Sequence, residues 1–518
     1  MLPHAKRWLY LVHRWLGVLL CAFFAMWFLS GVVMMYVGYP KLTPAERLAH
    51  LPPLRPATQG PERLLEPAEA LQHAGLAGPL QDLRLAVASG GRAVYLAVPA
   101  APSGDAAPRP RRAPAAVVID AVQGERLQRV DAERAIASAR AFAQDADPPI
   151  AYQGPIDEDA FTHSRALDAH RPLHRLHLGD GAGTIVYVSG TTGEVVRDAP
   201  LQERVWNYAG AWIHWLYPLR GNMFNAYWTD IVIGLSIAGI ALALTGTVVG
   251  VLRWRFKGRY KTGARTPYRG FVMRWHHVFG LVFAATTFTW VFSGLMSMNP
   301  WKIFDSGAAP LHLEAMHGGP LVLPAQAATV QALLSAASPN TRELRWVRTA
   351  GHTLVLAHSP TGAPALLDAA TAAPHTWTAG HVAKAAAGLL PHAVARTETL
   401  AAYDLHYYDR TPHTMTGGSE KPLPALRVVF ADPHATWVHI DPHTGAVLGH
   451  TDSHRRTSRW LFAMLHSWDA LPLLERRPLW DMLLIVLSLG GAVLSVSGVV
   501  MGWRRLGAKL RPARSGAA

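Results

Sequence analysis

The chain has 518 residues, half of them hydrophobic, and a formal net charge of +14, so one ordinary soluble domain is excluded. The charge does not mark a nucleic-acid binder. Of 49 Lys and Arg, 16 lie in three acid-free segments (residues 1–14, 253–274 and 504–518), leaving 33 against 35 acidic residues elsewhere.

Along the chain, four windows carry no Asp, Glu, Lys or Arg: Trp15–Val37, Ile231–Leu252, Val278–Trp301 and Met482–Trp503. Each runs 22 to 24 residues, near the ~20 that a helix needs to cross the ~30 Å hydrocarbon layer. The acid-free basic segments flank these windows, as the positive-inside rule requires. The expected topology is multi-pass, with both termini and the middle loop cytoplasmic and two long segments outside. The first window is too long for a signal peptide, and no A-x-A site follows it promptly, so it reads as a span. The single cysteine, Cys21, rules out an intrachain disulfide and a cysteine-ligated iron–sulfur cluster.

The expected division is a cytoplasmic N-terminus and first span over 1–37, a first outer segment over 38–204, and an interfacial helix and second span over 205–252. A basic cytoplasmic loop covers 253–275 and a third span 276–301. A second outer segment covers 302–457, an interfacial helix and fourth span 458–503, and a cytoplasmic tail 504–518.

The first outer segment opens on a Pro-rich stretch at 52–67 that suits an extended linker. RAVYLAVPA, AAVVIDAVQGERL and TIVYVSGTTGEVV then read as strands with turns, and 100–115 as a loop between two of them. The second segment has the same texture in TLVLAHSP, PALLDAATAAPH, LRVVFA and ATWVHIDPHTGAVLG. Short amphipathic helices are expected at 131–143, 325–337 and around 379–390. One turn pattern recurs as IDAVQGE, VSGTTGE, LDAATAA and IDPHTGA, twice per segment. Each outer segment is therefore expected to hold two copies of a small α+β unit.

The spans also repeat. An offset of 263 aligns His13 with His276, Gly17 with Gly280, Trp27 with Trp290, Ser30 with Ser293, and Gly31 with Gly294. An offset of 252 aligns His214 with His466, Trp228 with Trp480, Ser236 with Ser488, Gly246 with Gly498, and Arg253 with Arg505. The pattern implies an internal tandem duplication whose halves share one orientation in the membrane.

His13 and His276 fall at one depth near the cytoplasmic face. His214 and His466 precede the second and fourth spans at the outer face. Singly, each is an interfacial polar residue; in register, two facing imidazoles are what six-coordinate haem iron requires between bundle helices. His277 is the rival of His276, but the offset sets it opposite Arg14. The small residues Gly17, Ser30, Gly31 and their counterparts admit close approach of a helix or a flat macrocycle. Trp27 and Trp290 read as packing groups, with a relay between the two haems as the alternative role. Arg7, Arg14, Arg253, Arg274 and Arg505 read as topology signals, with pairing to haem propionates as the alternative role. The outer groups His163, His170, His174, His177 and His434, His439, His443, His450, His454 lack regular ligand spacing and read as solvated surface residues.

HRWLG…SG at 13–31, RWHHVFGL…SG at 274–294, TGTVVGVLRW at 245–254, SGVVMGWRR at 497–505 and the DPHTGAVLG hairpin resemble the PepSY-associated transmembrane family. Its members include bacterial iron-regulated inner-membrane proteins and siderophore-reducing proteins. The resemblance implies a membrane all-α four-helix bundle with two periplasmic α+β (PepSY-like) domains. It implies two haem b groups, with His13, His276, His214 and His466 as axial ligands. The implied activity is an inner-membrane reductase passing electrons to periplasmic ferric siderophore and releasing Fe(II). No GxGxxG motif occurs in the cytoplasmic segments, so the donor is expected to be a separate cytoplasmic reductase or membrane quinol. Two other classes stay open: a cytochrome b subunit for another periplasmic acceptor, and a non-redox anchor whose PepSY-like domains regulate partners. The motifs assign no catalytic residue.

Overall fold

A computed structural model describes residues 3–55, 63–100, 116–144, 147–220, 223–415, 417–418 and 420–510. Residues 56–62 of the expected linker, 101–115 of the expected loop, Gly221 and the tail from 511 lie outside these. The uncharged windows form helices, the one open-ended structure that bonds its own backbone in an apolar layer. The long ones are α1 (Pro3–Met34), α2 (Trp228–Arg253), α3 (Phe271–Val282), α4 (Ala284–Ser297) and α5 (Leu479–Leu510). Among the described residues, three helical stretches are long and apolar enough to span a membrane: His4–Met34, Asn225–Arg253 and Leu479–Ala508.

The third expected span departs from a straight rod. It is two helices, α3 and α4, bent by 66° between Val282 and Ala284. No proline stands there. The aromatic ring of Phe283 instead sits over Gly490 of α5, where an added Cβ would lie 2.0 Å from its Cζ. The helices share a core of Leu20, Phe24 and Phe28 on α1, Leu242 on α2, Val291 on α4 and Ala492 on α5. Gly239 and Gly491, counterparts under the second offset, let α2 and α5 close on Phe24 and Phe28. Ring carbons of those two residues lie 3.0 and 2.4 Å from the Cβ positions the glycines lack.

The basic loop after α2 is folded by its own backbone: the Arg255 N–H donates to the Arg265 carbonyl and the Tyr260 N–H to the Ala264 carbonyl. Arg253 donates from Nε to the Tyr10 hydroxyl of α1 at 2.8 Å.

The two long segments supply the strands. They are β1 (Leu80–Ser89), β2 (Arg92–Pro99), β3 (Val117–Asp120), β4 (Arg126–Leu127), β5 (Ile150–Ile156), β6 (Leu173–Leu178), β7 (Ile185–Ser189) and β8 (Val195–Ala199) in the first. The second supplies β9 (Glu343–Thr349), β10 (His352–His358), β11 (Ala365–Asp368), β12 (Val394–Leu400), β13 (Ala425–Phe430), β14 (Trp437–Ile440) and β15 (Val447–Thr451). The recurrent turn is the same device each time. The side chain of Asp120, Ser189, Asp368 or Asp441 accepts backbone N–H groups two or three residues on. Its carbonyl accepts from a residue at positive φ: Gly124, Gly193, Ala372 or Gly445. The positive φ explains the preference for glycine; Ala372 meets it at φ 58°.

β5–β8 form one antiparallel four-stranded sheet and β12–β15 another. Helix Ala132–Ala143 lays Ala135, Ala139 and Phe142 on Leu176, Val186 and Val188 of the first. Val382 and Ala386 of helix Ala379–Ala386 cover Leu426, Val428 and Ile440 of the second. The remaining strands make one seven-stranded sheet, ordered β11-β10-β9-β1-β2-β3-β4. The outer segments, expected as separate units, are thus joined: β1 pairs antiparallel with β9, Leu83 opposite Trp346 and Leu85 opposite Leu344. Pairing covers two edges that would otherwise stay open.

A buried ion cluster crosses this joint. Arg84 of β1 reaches Glu194 at 3.1 Å and Glu343 of β9 at 3.3 Å, and Arg47 reaches Glu343 at 2.8 Å. Burial works against the Glu343 carboxylate, but Arg47 and Arg84 hold its pKa at about 2.

Candidate functional site

His214 and His466 each follow a wide helical turn, Tyr208–Trp212 in one case and Trp460–Met464 in the other. Such π-type turns displace the side chains that follow and recur at functional sites. Shortly past each histidine the chain reverses through a left-handed residue, Leu216 at φ 54° and Trp468 at φ 47°. Each reversal is clamped from the next long helix: Trp228 Nε1 donates to the Trp215 carbonyl at 2.8 Å and Trp480 Nε1 to the Ser467 carbonyl at 3.0 Å. From α1, Trp27 Nε1 donates to the carbonyl of His214 itself at 2.9 Å. Trp27 therefore orders the histidine segment as well as packing on Phe23 and Phe24. Trp290 packs at a tilt against Phe28, with ring centroids 5.7 Å apart.

The four histidines meet in two pairs. The ring centroids of His13 on α1 and His276 on α3 are 6.4 Å apart; those of His214 and His466 are 6.2 Å apart. Two imidazoles sharing one metal from opposite sides, with bonds of about 2.0 Å as in zinc–imidazole sites and about 1.1 Å more to each ring centre, would stand about 6.2 Å apart. Both pairs have that spacing.

The hydrogen-bond network engages Nδ1 in three of the four rings. The Ser30 hydroxyl donates to the Met26 carbonyl at 2.7 Å, so its oxygen accepts from His214 Nδ1 at 2.9 Å. Ser293 donates to the Trp290 carbonyl and accepts from His466 Nδ1 at 3.0 Å. Ser497 donates to the Leu494 carbonyl and accepts from His276 Nδ1 at 2.8 Å. With Nδ1 protonated, Nε2 holds the lone pair a metal needs. His13 differs: its Nδ1 is buried without a hydrogen-bond partner, and an added Cβ on Gly246 would lie 2.7 Å from its Cε1.

His277 has no free nitrogen. Nε2 donates to the Gly250 carbonyl at 2.8 Å, and Nδ1 accepts from the Thr266 hydroxyl at 2.7 Å. It ties the basic loop to the end of α2. The arginines expected near this face, Arg7, Arg14, Arg253, Arg274 and Arg505, are exposed.

The further histidines are not all solvated, which corrects the expectation for His174 and His439 in particular. His174 is buried on β6, bonded to the Tyr152 hydroxyl at 2.8 Å and the Val130 carbonyl at 3.0 Å. His439 is buried on β14, accepts from Arg427 Nε at 2.9 Å and stacks on Tyr407. His170 is half-buried against the Ser189 hydroxyl at 3.0 Å. These positions alternate into a sheet core or cap a turn, which local spacing alone does not reveal. Among the described residues no group of three or more His, Cys, Asp or Glu side chains is disposed to hold a metal ion.

The serine contacts to the imidazoles were not expected from the sequence, where Ser30 and Ser293 stand as aligned small residues that admit close approach. The available signal was a hydroxyl repeated in register after each span histidine, Ser30 after His13 and Ser293 after His276, in an otherwise apolar run.

A family model described as the PepSY-associated TM region matches residues 10–383. The match contains His13, His214 and His276, and His466 lies beyond it. No curated protein matches the chain.

Proposed function

This chain belongs to the PepSY-associated transmembrane family, a membrane protein, and from that premise we propose that it is a dihaem b-type reductase of ferric siderophores in the bacterial inner membrane. His13 and His276 would hold one haem b, and His214 and His466 the other. Bound haem supplies reversible one-electron transfer at its iron. The chain's own part is to present neutral Nε2 atoms in pairs, keep water away with the apolar core around Phe24 and Phe28, and set the two sites apart. Ser30, which meets His214, lies on the same helix as His13 but about 26 Å along it, at a rise of ~1.5 Å per residue.

The observation that carries this reading is the pair of imidazole separations, 6.4 and 6.2 Å, with Nδ1 engaged elsewhere in three of the four rings. Support for a tandem duplication and a four-helix bundle comes from features that recur at the second offset: the wide turns, the left-handed residues and the tryptophan clamps. In the proposed orientation the termini and the basic loop are cytoplasmic and the sheets periplasmic, because the acid-free basic segments lie together on the loop side. Reduction releases iron because hard oxygen donors hold Fe(III) more tightly than the less charged Fe(II). Electrons would come from a cytoplasmic reductase or membrane quinol.

The test is a reduced-minus-oxidised spectrum of full-length protein made with ample haem. A b-type alpha band and two haems per chain are expected, followed by reoxidation when a ferric hydroxamate or catecholate is added. A colourless preparation would sink the reading. Haem that stays reduced in ferric siderophore would refute the substrate and leave a cytochrome for another acceptor.

A further inference from the structure

We propose that Ser30, Ser293 and Ser497 are positioning residues that hold the imidazoles of His214, His466 and His276 with Nε2 aimed at the shared metal position. The inference rests on the haem reading above and adds to it the groups that set the ligands' tautomer and angle.

A lone hydroxyl in an apolar helix normally bonds a carbonyl of its own helix and does nothing more. Ser495 on α5 behaves so: it is buried and donates to the Gly491 carbonyl at 2.7 Å. The three proposed serines make that bond and one more. Each keeps an oxygen lone pair turned to an imidazole Nδ1 at 2.8 to 3.0 Å. Ser30 and Ser293 are 2% and 0% exposed, so water cannot replace them. Their partners lie far away in the chain, which removes local backbone geometry as the cause of the contact. The arrangement also recurs. Ser30 meets His214, and its repeat counterpart Ser293 meets His466, the repeat counterpart of His214.

The exception points the same way. Thr245, the counterpart of Ser497 under the second offset, bonds the Ala241 and Leu242 carbonyls of its own helix and makes no hydrogen bond to an imidazole. The imidazole on that side of the repeat, His13, is the one whose Nδ1 meets no hydroxyl.

An acceptor at Nδ1 fixes the ring and makes Nε2 a stronger donor, and outer partners of this kind typically change metal affinity about 10- to 100-fold. The experiment uses full-length protein in detergent with Ser30→Ala, Ser293→Ala, Ser497→Ala and, as control, Ser495→Ala. Readouts are haem retained against apo-myoglobin and the midpoint potential of each haem. Ser30→Ala and Ser293→Ala are expected to weaken haem about 10-fold or more and raise the potential at one site only. Ser497→Ala should act at the other site only, and threonine at each position should restore the wild-type value. Unchanged potentials in all three alanine variants, or an equal shift in Ser495→Ala, would overturn the proposal while leaving a haem-replete wild type intact. A wild type without haem would defeat the underlying reading and this one with it.

Discussion

Nδ1 of His214 lies 2.9 Å from Oγ of Ser30, although 184 residues of chain separate them. The contact joins the segment before α2 to the far end of α1, and Ser293 with His466 makes its counterpart between α4 and the segment before α5 at 3.0 Å. Two facing imidazoles are thereby anchored to two different helices, His214 to α1 and His466 to α4.

If each imidazole pair holds one haem, deletions should act by site. His214→Ala and His466→Ala are each expected to lower haem content from two per chain to one, as are His13→Ala and His276→Ala. Combining His13→Ala with His214→Ala should remove both. His277→Ala should keep two haems, since both its nitrogens are engaged elsewhere. A pyridine haemochrome assay on purified variants decides each case.

Gly246 and Gly31 make a contrasting pair. A Cβ at Gly246 would lie 2.7 Å from His13 Cε1, whereas one at Gly31 would rest 3.7 Å from His214 Cε1, an ordinary contact. Gly246→Val is expected to displace His13 and remove one haem, while Gly31→Ala retains both. Haem stoichiometry measures the difference. Two haems in Gly246→Val would show that the ring has room to move.

The tryptophan clamps should differ in weight. Trp480 is 2% exposed and its bond to the Ser467 carbonyl is part-buried, whereas the Trp228 bond is exposed. Trp480→Phe leaves a buried carbonyl unpaired and is expected to cost about 1–3 kcal/mol, with Trp228→Phe costing less than about 1 kcal/mol. Thermal melts followed at the haem band would rank the two.

The joint between β1 and β9 should be acid-labile. Glu343 has its pKa lowered to about 2, below the ordinary glutamate value near ~4.3. Its stabilisation, about 3 kcal/mol, is therefore present above that ordinary value and lost as pH falls toward 2. Glu343→Gln takes the close carboxylate from the part-buried Arg47, while Arg84 keeps Glu194, with an expected cost of about 1–3 kcal/mol near neutral pH. Melting temperature against pH should fall for the wild type below about pH 4.3 and be flatter for the variant.

The sequence by itself determined the features written in consecutive residues. Uncharged runs mark the helices, because a charge is expensive in an apolar layer; Asp or Ser followed by a glycine marks the turns, because positive φ excludes most side chains. The two offsets also singled out the four histidines, because each falls in register with another. Tertiary structure decided the rest. Whether His276 or His277 faces His13 depends on rotation about the α3 axis, one residue being about 100° of turn. The serine acceptors became visible only when α1 and α4 met segments 184 and 173 residues away. The bend at Phe283, whose ring sits over Gly490, has no proline to announce it, and the β1–β9 pairing joins two strand edges that only meet in space. Periodicity reports which face of an element is buried; it carries no term for the partner that buries it.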